Sequence, residues 1–161
     1  MVVTWSFVDG MRQLASGVSV VTAGTNGDRN GMTASAVCSL SADPPSLIAC
    51  LSRDTGTCTR LSDCGTFCVN VLGRHHEELA TVFAGRTDLT GEDRFRVGTW
   101  HTGDLGVPVL SDALVAFECE VATIHDYATH SIVVGLVHEV HVSRDGSRPL
   151  VYHDRTFCGV A

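Results

Sequence analysis

Lysine is missing from all 161 residues; the 11 basic side chains are arginines, set against 18 acidic ones. Without a lysine amine, Schiff-base chemistry is excluded, on a substrate carbonyl or an internal pyridoxal phosphate aldimine. The formal net charge of -7 speaks against nucleic acid as a partner, because affinity for phosphate backbones rests on positive charge. It leaves room for a small anionic ligand held by a few local donors. No apolar run reaches membrane-spanning length, and the amino terminus lacks a basic region followed by an apolar core. The expectation is a chain without a membrane partner, at home in the cytoplasm.

Motifs are scarce as well. The chain carries no GxGxxG fingerprint, no Walker loop, no GxSxG elbow and no HExxH. The seven cysteines include no CxxC pair. Most stand in apolar runs such as SLIACL and FCVNVL, where a free thiol behaves as a small hydrophobe, and a reduced compartment follows. The eight histidines form no ligand pattern. His75 and His76 are adjacent and diverge on a helix, His138 and His141 fall on opposite faces of a strand, and Cys64 and Cys68 straddle Gly65. No metal site is expected.

What is present reads as one domain over 1–161, of a size that buries a single sizeable core. SFVDGMRQLASG starts a helix with Ser6 and Asp9 as a capping pair, sets Phe7, Met11 and Leu14 on one face, and offers Gly17 as a stop. VSVVTAG, SLIACL and TFCVNVL read as short buried strands. TCTRLSDCG reads as a short helix closed by Gly65, and RHHEELATVFAG as another that stops at Gly85. ALVAFECEVATIHDY and HSIVVGLVHEVHV read as two long strands joined by a tight turn, and PLVYHDRTF closes the domain. Residues 86–109 look polar, irregular and wrapped over the surface. No regular βαβ alternation occurs, so a mainly β fold is expected, a β-barrel with peripheral helices.

One stretch stands apart. GMTASAVCSLSADPPSLIACLSRDTGT, residues 31–57, places Thr33, Ser35, Ser39, Ser41 and Ser52 among apolar neighbours, and buried hydroxyls need partners. Thr33, Ser35 and Ser39 alternate in part with Ala34, Ala36 and Val37. Ser52, Arg53 and Thr57 lie near the start of a helix, where hydroxyls, amides and an arginine suit a phosphate. A strand of small residues leaves room for a flat ring. The competing account is ordinary capping by Thr55 or Thr57, with the strand serines bonded internally.

The ordered segments GVSVVTAG, GMTASAVCSLSADPPSLIACLSRDTGT, FCVNVL, ELATVFAG and DRF, continued by LVAFECEV, HDYATHSIVVGLVHEV and PLVYHDRTF, resemble the flavin reductase-like family over nearly the whole chain. These proteins are small reductase partners of two-component flavin monooxygenases. The resemblance implies an FMN-binding split β-barrel of Greek-key type, usually a homodimer, that oxidises NADH or NADPH and passes reduced FMN, or FAD, to a partner oxygenase. Residue by residue, it implies that Thr33, Ala34, Ser35 and Ala36 meet the isoalloxazine ring with Ser39 nearby. It assigns Leu51, Ser52, Arg53 and Thr57 to the ribityl chain and phosphate, and Phe83 and Ala84 to closing the site. Tyr152 and Arg155 match its closing segment, and His130 is implied beside the nicotinamide.

The chain departs from the family pattern just before that histidine, reading Ala128-Thr129-His130 where many relatives carry Gly-Asp-His. The departure bears on the nicotinamide contacts. It keeps open a flavin-dependent oxidase or cyclase, or a flavin carrier, on the same fold. A haem-binding or purely structural split barrel is the non-enzyme alternative.

Overall fold

The β-branched runs become strands, some of them folded back on a sequence neighbour by a short turn and others paired across longer connections. A computed structural model describes residues 4–160. In chain order it forms α1 (Thr4–Arg12), β1 (Ser16–Gly17), β2 (Ser19–Ala23), β3 (Asn30–Ala34), β4 (Val37–Ala42), β5 (Pro45–Ser52), α2 (Gly56–Cys64) and β6 (Thr66–Val71). A 3-10 turn over Arg74–His76 leads into α3 (Glu77–Phe83), and a second covers Gly91–Arg96. Then come β7 (Trp100–Thr102), β8 (Pro108–Leu110), β9 (Val115–Tyr127), β10 (His130–Val142), β11 (Leu150–His153) and β12 (Thr156–Gly159). The protein is therefore mainly β. Its largest sheet has seven strands in the order β3-β2-β6-β9-β10-β5-β4, with antiparallel pairing throughout. Among the described residues no helix is long and apolar enough to cross a membrane.

The sheet separates two apolar clusters. Along β2 all five residues are buried, and successive side chains point to opposite faces, so Val20 joins one cluster and Val21 the other. The first packs beneath α3, with Leu79, Val82 and Phe83; the second holds Leu51, Phe67, Val69 and Val133 against Leu61 of α2. Gly65 ends α2 in the left-handed conformation at φ 71, its N–H donating to the Leu61 carbonyl at 3.0 Å. A residue with a Cβ resists that conformation.

Two expectations need correction. Helix α1 ends at Arg12, and Gly17 belongs to β1. Ser6 and Asp9 lie inside the helix, where Asp9 pairs with Arg12 at 2.9 Å. Its apolar face is open: Phe7 and Met11 are 58% and 48% exposed, and Leu14, just beyond the helix, is 57% exposed.

Residues 86–109 are not merely surface. Phe95, Val107 and Val109 are buried, and Phe83, Phe95 and Trp100 pack edge to face or tilted with ring centroids 5.0 to 5.4 Å apart. Buried polar groups hold this segment to the sheet. Thr22 Oγ1 donates to the Pro108 carbonyl at 2.6 Å, and Asn70 accepts from the Leu110 amide at 2.8 Å while donating to the Val20 carbonyl. Glu118, fully buried on β9, accepts from the amides of Leu105 and Asp104 and lies 2.7 Å from His141 Nε2. A Cβ at Gly103 would collide with that carboxylate.

Candidate functional site

The hydroxyl-rich stretch folds into two segments joined by one backbone bond. The Cys50 amide donates to the Ala36 carbonyl at 2.9 Å, bringing the β3–β4 connection against the strand that ends at Ser52. The hydroxyls then divide into two groups. Thr33 donates to the Ala80 carbonyl of α3 at 2.7 Å, Ser41 to the Asp43 carbonyl at 2.9 Å, and Thr55 to the Ser52 carbonyl while capping α2 at the Cys58 amide. Ser35, Ser39, Ser52 and Thr57 make no side-chain hydrogen bond among the described residues, although Thr57 is only 1% exposed. Local bonding and capping thus account for part of the set and leave a remainder without protein partners.

Ser35 opens on a cavity of 210 Å³ lined also by Thr33, Ala84, Arg86, Tyr152 and Phe157. The Tyr152 and Phe157 rings stand 5.3 Å apart on the β11–β12 hairpin. The Arg86 guanidinium has no ion pair or side-chain hydrogen bond among the described residues. Sequence reasoning passed over Arg86 and Phe157. The available signal was position: Arg86 directly follows the Ala84-Gly85 helix stop, where Gly85 at φ 71 turns the chain back toward β3.

The second segment meets the β9–β10 hairpin. Ser52 is the register partner of His130, and the Arg53 amide donates to the Thr129 carbonyl at 3.0 Å. The Arg53 guanidinium bridges to Asp126 at 3.1 Å and reaches the Ala128 carbonyl at 3.4 Å, so it clamps the hairpin tip. Ser131, buried, donates to the other Asp126 oxygen at 2.6 Å. His130 is exposed, its Nδ1 2.8 Å from Thr129 Oγ1. The two-residue turn between the register partners Tyr127 and His130 sets Ala128 at φ 50, the left-handed region glycine occupies without cost.

Other singled-out residues lie elsewhere. Leu51 and Phe83 are core side chains at 0% and 1% exposure, and Ala34 is buried in the cluster beneath α2; each can offer a ligand only its backbone. Ala36 is exposed. Ser39 lines a separate, largely apolar cavity of 380 Å³ with Val37, Phe117 and Val140. Arg155, at φ 64 in the last hairpin turn, lines a groove with Phe7, Met11 and Tyr152.

The histidine geometry departs from the divergence expected of neighbours on a helix. His75 and His76 Nε2 lie 3.5 and 3.2 Å from the same Asp112 oxygen, because they occupy a 3-10 turn and His76 leaves it at φ -93, ψ 19. These three residues bring potential ligand atoms within 4.8 Å of one another, but the tautomer opposes coordination. His76 Nδ1 accepts the Gly73 amide at 3.1 Å, so the neutral ring keeps its proton on Nε2, the nitrogen that faces the carboxylate. Burial pushes the His76 pKa down, with the Asp112 contact opposing. The seven cysteines are free. Burial and then the Glu118 charge push the Cys119 thiol up to about 12, which leaves it unreactive.

The site as built combines a slot with an aromatic wall, the Ser35 hydroxyl and the Arg86 guanidinium, both without a side-chain partner among the described residues, next to a helix start with two further such hydroxyls, Ser52 and Thr57. It can hold a flat heterocycle with an anionic tail. The family model described as "Flavin reductase like domain" matches residues 11–161. The FMN reductase (NADH) RutF of Agrobacterium fabrum is 38% identical over 147 residues, spanning 91% of this chain and 83% of its own. The 4-hydroxyphenylacetate 3-monooxygenase reductase component of Pseudomonas aeruginosa is 37% identical over 152 residues, 94% of this chain and 89% of its own. A flavin reductase structure from Haemophilus somnus superposes with a TM-score of 0.92 at 34% identity, covering 99% of this chain and 100% of its own.

Proposed function

The chain belongs to the flavin reductase-like domain family, and from that premise we propose an NADH-dependent flavin reductase that supplies reduced FMN to a partner monooxygenase. When bound, FMN accepts hydride from the nicotinamide and carries the electron pair onward. The protein binds and orients. The observation that carries the site assignment is the unpartnered set Ser35, Ser52 and Thr57, distributed over two segments that the Cys50–Ala36 bond joins.

In this reading Ser35 and the backbone of residues 33–36 hold the ring edge in the slot under Tyr152, and Ala84 closes it. Ser52, Thr57 and the first amides of α2 hold the phosphate, favoured there by the helix dipole. Arg53 contributes from the hairpin tip while remaining paired to Asp126. His130 acts at the nicotinamide. No protein nucleophile takes part.

The seven-stranded sheet is read as the wall of a split β-barrel of Greek-key type within one domain. A homodimer covers the open apolar surface of α1 and the sheet, where Leu40, Val140 and Val142 are 50%, 41% and 63% exposed besides the α1 residues; patches of this kind mark interaction surfaces. The working place is the cytoplasm.

The test is direct. Purified protein, FMN and NADH are mixed and the nicotinamide absorbance is followed; consumption that depends on added FMN is expected. Loss of neither NADH nor NADPH would overturn the reductase reading.

A further inference from the structure

Two walls of the Ser35 slot diverge from one joint in the chain. The Leu150 amide donates to the Leu72 carbonyl at 2.9 Å, the Arg74 amide donates to the Arg148 carbonyl at 2.8 Å, and Gly73 is the bridge partner of Pro149. On one side this pairing starts β11, which carries Tyr152 and, across its hairpin, Phe157. On the other, the 3-10 turn runs into α3, whose Ala80 carbonyl accepts Thr33 and whose end presents Ala84. The slot lies between these elements.

His76 fastens the joint. Buried at the third position of the turn, its ring accepts the Gly73 amide at 3.1 Å, the part a Glu or Gln side chain plays in a capping box. An amide oxygen accepts whatever the pH, whereas an imidazole nitrogen accepts only while it carries no proton. With Nδ1 engaged by Gly73, the neutral ring keeps its proton on Nε2. That nitrogen is buried without a hydrogen-bond partner, 3.2 Å from an Asp112 carboxylate oxygen. A second proton has only Nδ1 to go to, and there it meets the Gly73 N–H head on. The charged ring must release Gly73, and the Asp112 carboxylate stands beside it to take the charge.

From this geometry we infer that His76 is a proton-operated latch on the slot. Neutral, it ties the turn before α3 to the Gly73–Pro149 pairing; protonated, it turns to Asp112 and frees the β11–β12 hairpin to shift relative to α3. The consequence for ligand binding rests on the flavin reading above; the latch itself does not.

The groups facing the ring set the direction of the switch. Burial, the largest influence, favours the neutral form; Asp112 favours the charged form, His75 on the same turn opposes it, and Asp145 of the β10–β11 connection supports it. Burial prevails and holds the folded-state pKa below the ordinary 6.5. A lowered histidine value means that the stabilisation is present above the unfolded pKa of about 6.5. It is lost as pH falls from there through the folded value.

Two variants test the latch. His76→Gln keeps an acceptor for the Gly73 amide that takes no proton, and Asp112→Asn, at an exposed position, removes the group that receives the charge. The His76 ring nitrogens and the Gly73 amide are followed by NMR on isotope-labelled protein from about pH 7.5 to about pH 5, and the FMN dissociation constant by fluorescence quenching over the same range. The Nδ1 proton should appear and the Gly73 amide should shift with one midpoint, which Asp112→Asn moves to lower pH. A phosphate monoester titrates near about pH 6, so FMN binding weakens on acidification in every form and only the difference between proteins counts. The parent's constant should rise about fivefold more than that of His76→Gln, the lower end of coupling between sites; if His76→Gln does not fold, Asp112→Asn carries the comparison, its loss of FMN moving with its midpoint. A His76 ring that stays neutral throughout, or a Gly73 amide that does not follow it, overturns the proposal. So does a ring that titrates while parent and variant lose FMN in parallel. A parent that binds no FMN at any pH overturns the flavin reading instead, and the Gly73 amide with the Tyr152 and Phe157 ring protons then decides the latch.

Discussion

Ser52 and His130 face each other as register partners across β5 and β10. The residue assigned to the phosphate therefore neighbours the residue assigned to the nicotinamide, and the two roles can be separated experimentally.

Replacing Ser52 and Thr57 together by alanine should raise the FMN dissociation constant about 10- to 100-fold, since a hydrogen bond to a charged group contributes roughly 1.5–3 kcal/mol. Neither hydroxyl bonds another described residue, so the melting temperature should move little. Flavin fluorescence quenching and thermal denaturation check both halves. An unchanged FMN constant would return Thr57 and Ser52 to a structural role.

For His130→Ala, the rate of flavin reduction at saturating NADH should fall about 10- to 100-fold, the scale of a positioned polar group, with FMN affinity altered less than threefold. Stopped-flow reduction kinetics give the first quantity and titration the second. The reverse pattern, weak FMN and normal reduction, would assign His130 to the phosphate end beside Ser52.

Ala128 at φ 50 carries a left-handed strain of about 1–2 kcal/mol, partly offset in an Ala128→Gly variant by the greater unfolded-state entropy of glycine. A net gain of about 0.5–1 kcal/mol is expected in urea denaturation. No gain would mean the hairpin tip relaxes around the methyl group.

Glu118 supplies a pH test. Burial alone would raise its pKa, but the Leu105 amide, His141 and the Asp104 amide outweigh burial and hold it below the ordinary carboxylate range. A depressed folded-state value means the stabilisation is present above the unfolded pKa of about 4.3 and is lost as pH falls through the folded value. Glu118→Gln should cost roughly 2 kcal/mol at neutral pH and flatten the loss of stability on acidification below about pH 4.3. Urea midpoints across that window, parent against variant, decide it; parallel curves would remove Glu118 from the acid response.

The strands were legible because β-branched runs such as Val18–Val21 are buried on both sides of a sheet, and the ends of α2 and α3 because Gly65 and Gly85 take positive φ. Residues 86–109 were not. Phe95, Val107 and Val109 follow no helical or strand period, and their burial depends on Phe83, Thr22 and Asn70 far away in sequence. Periodicity located the apolar face of α1 but not its exposure, Phe7 and Met11 being 58% and 48% exposed. The hydroxyl stretch was legible as a set, yet which hydroxyls the backbone claims, Thr33 and not Ser35, depends on the approach of α3 to β3. His75 and His76 converge because their turn is not a regular helix.

The sheet that separates the two apolar clusters has a consequence for how the protein tolerates change. Side chains in clusters on opposite faces share few neighbours, and substitutions that share none combine additively to within about 0.5 kcal/mol. Phe95 beneath α3 and Leu61 of α2 therefore belong to separate blocks of mutational freedom. The layer under α3 can change while the layer under α2 is held, so substitutions can accumulate on one side of the sheet at a time.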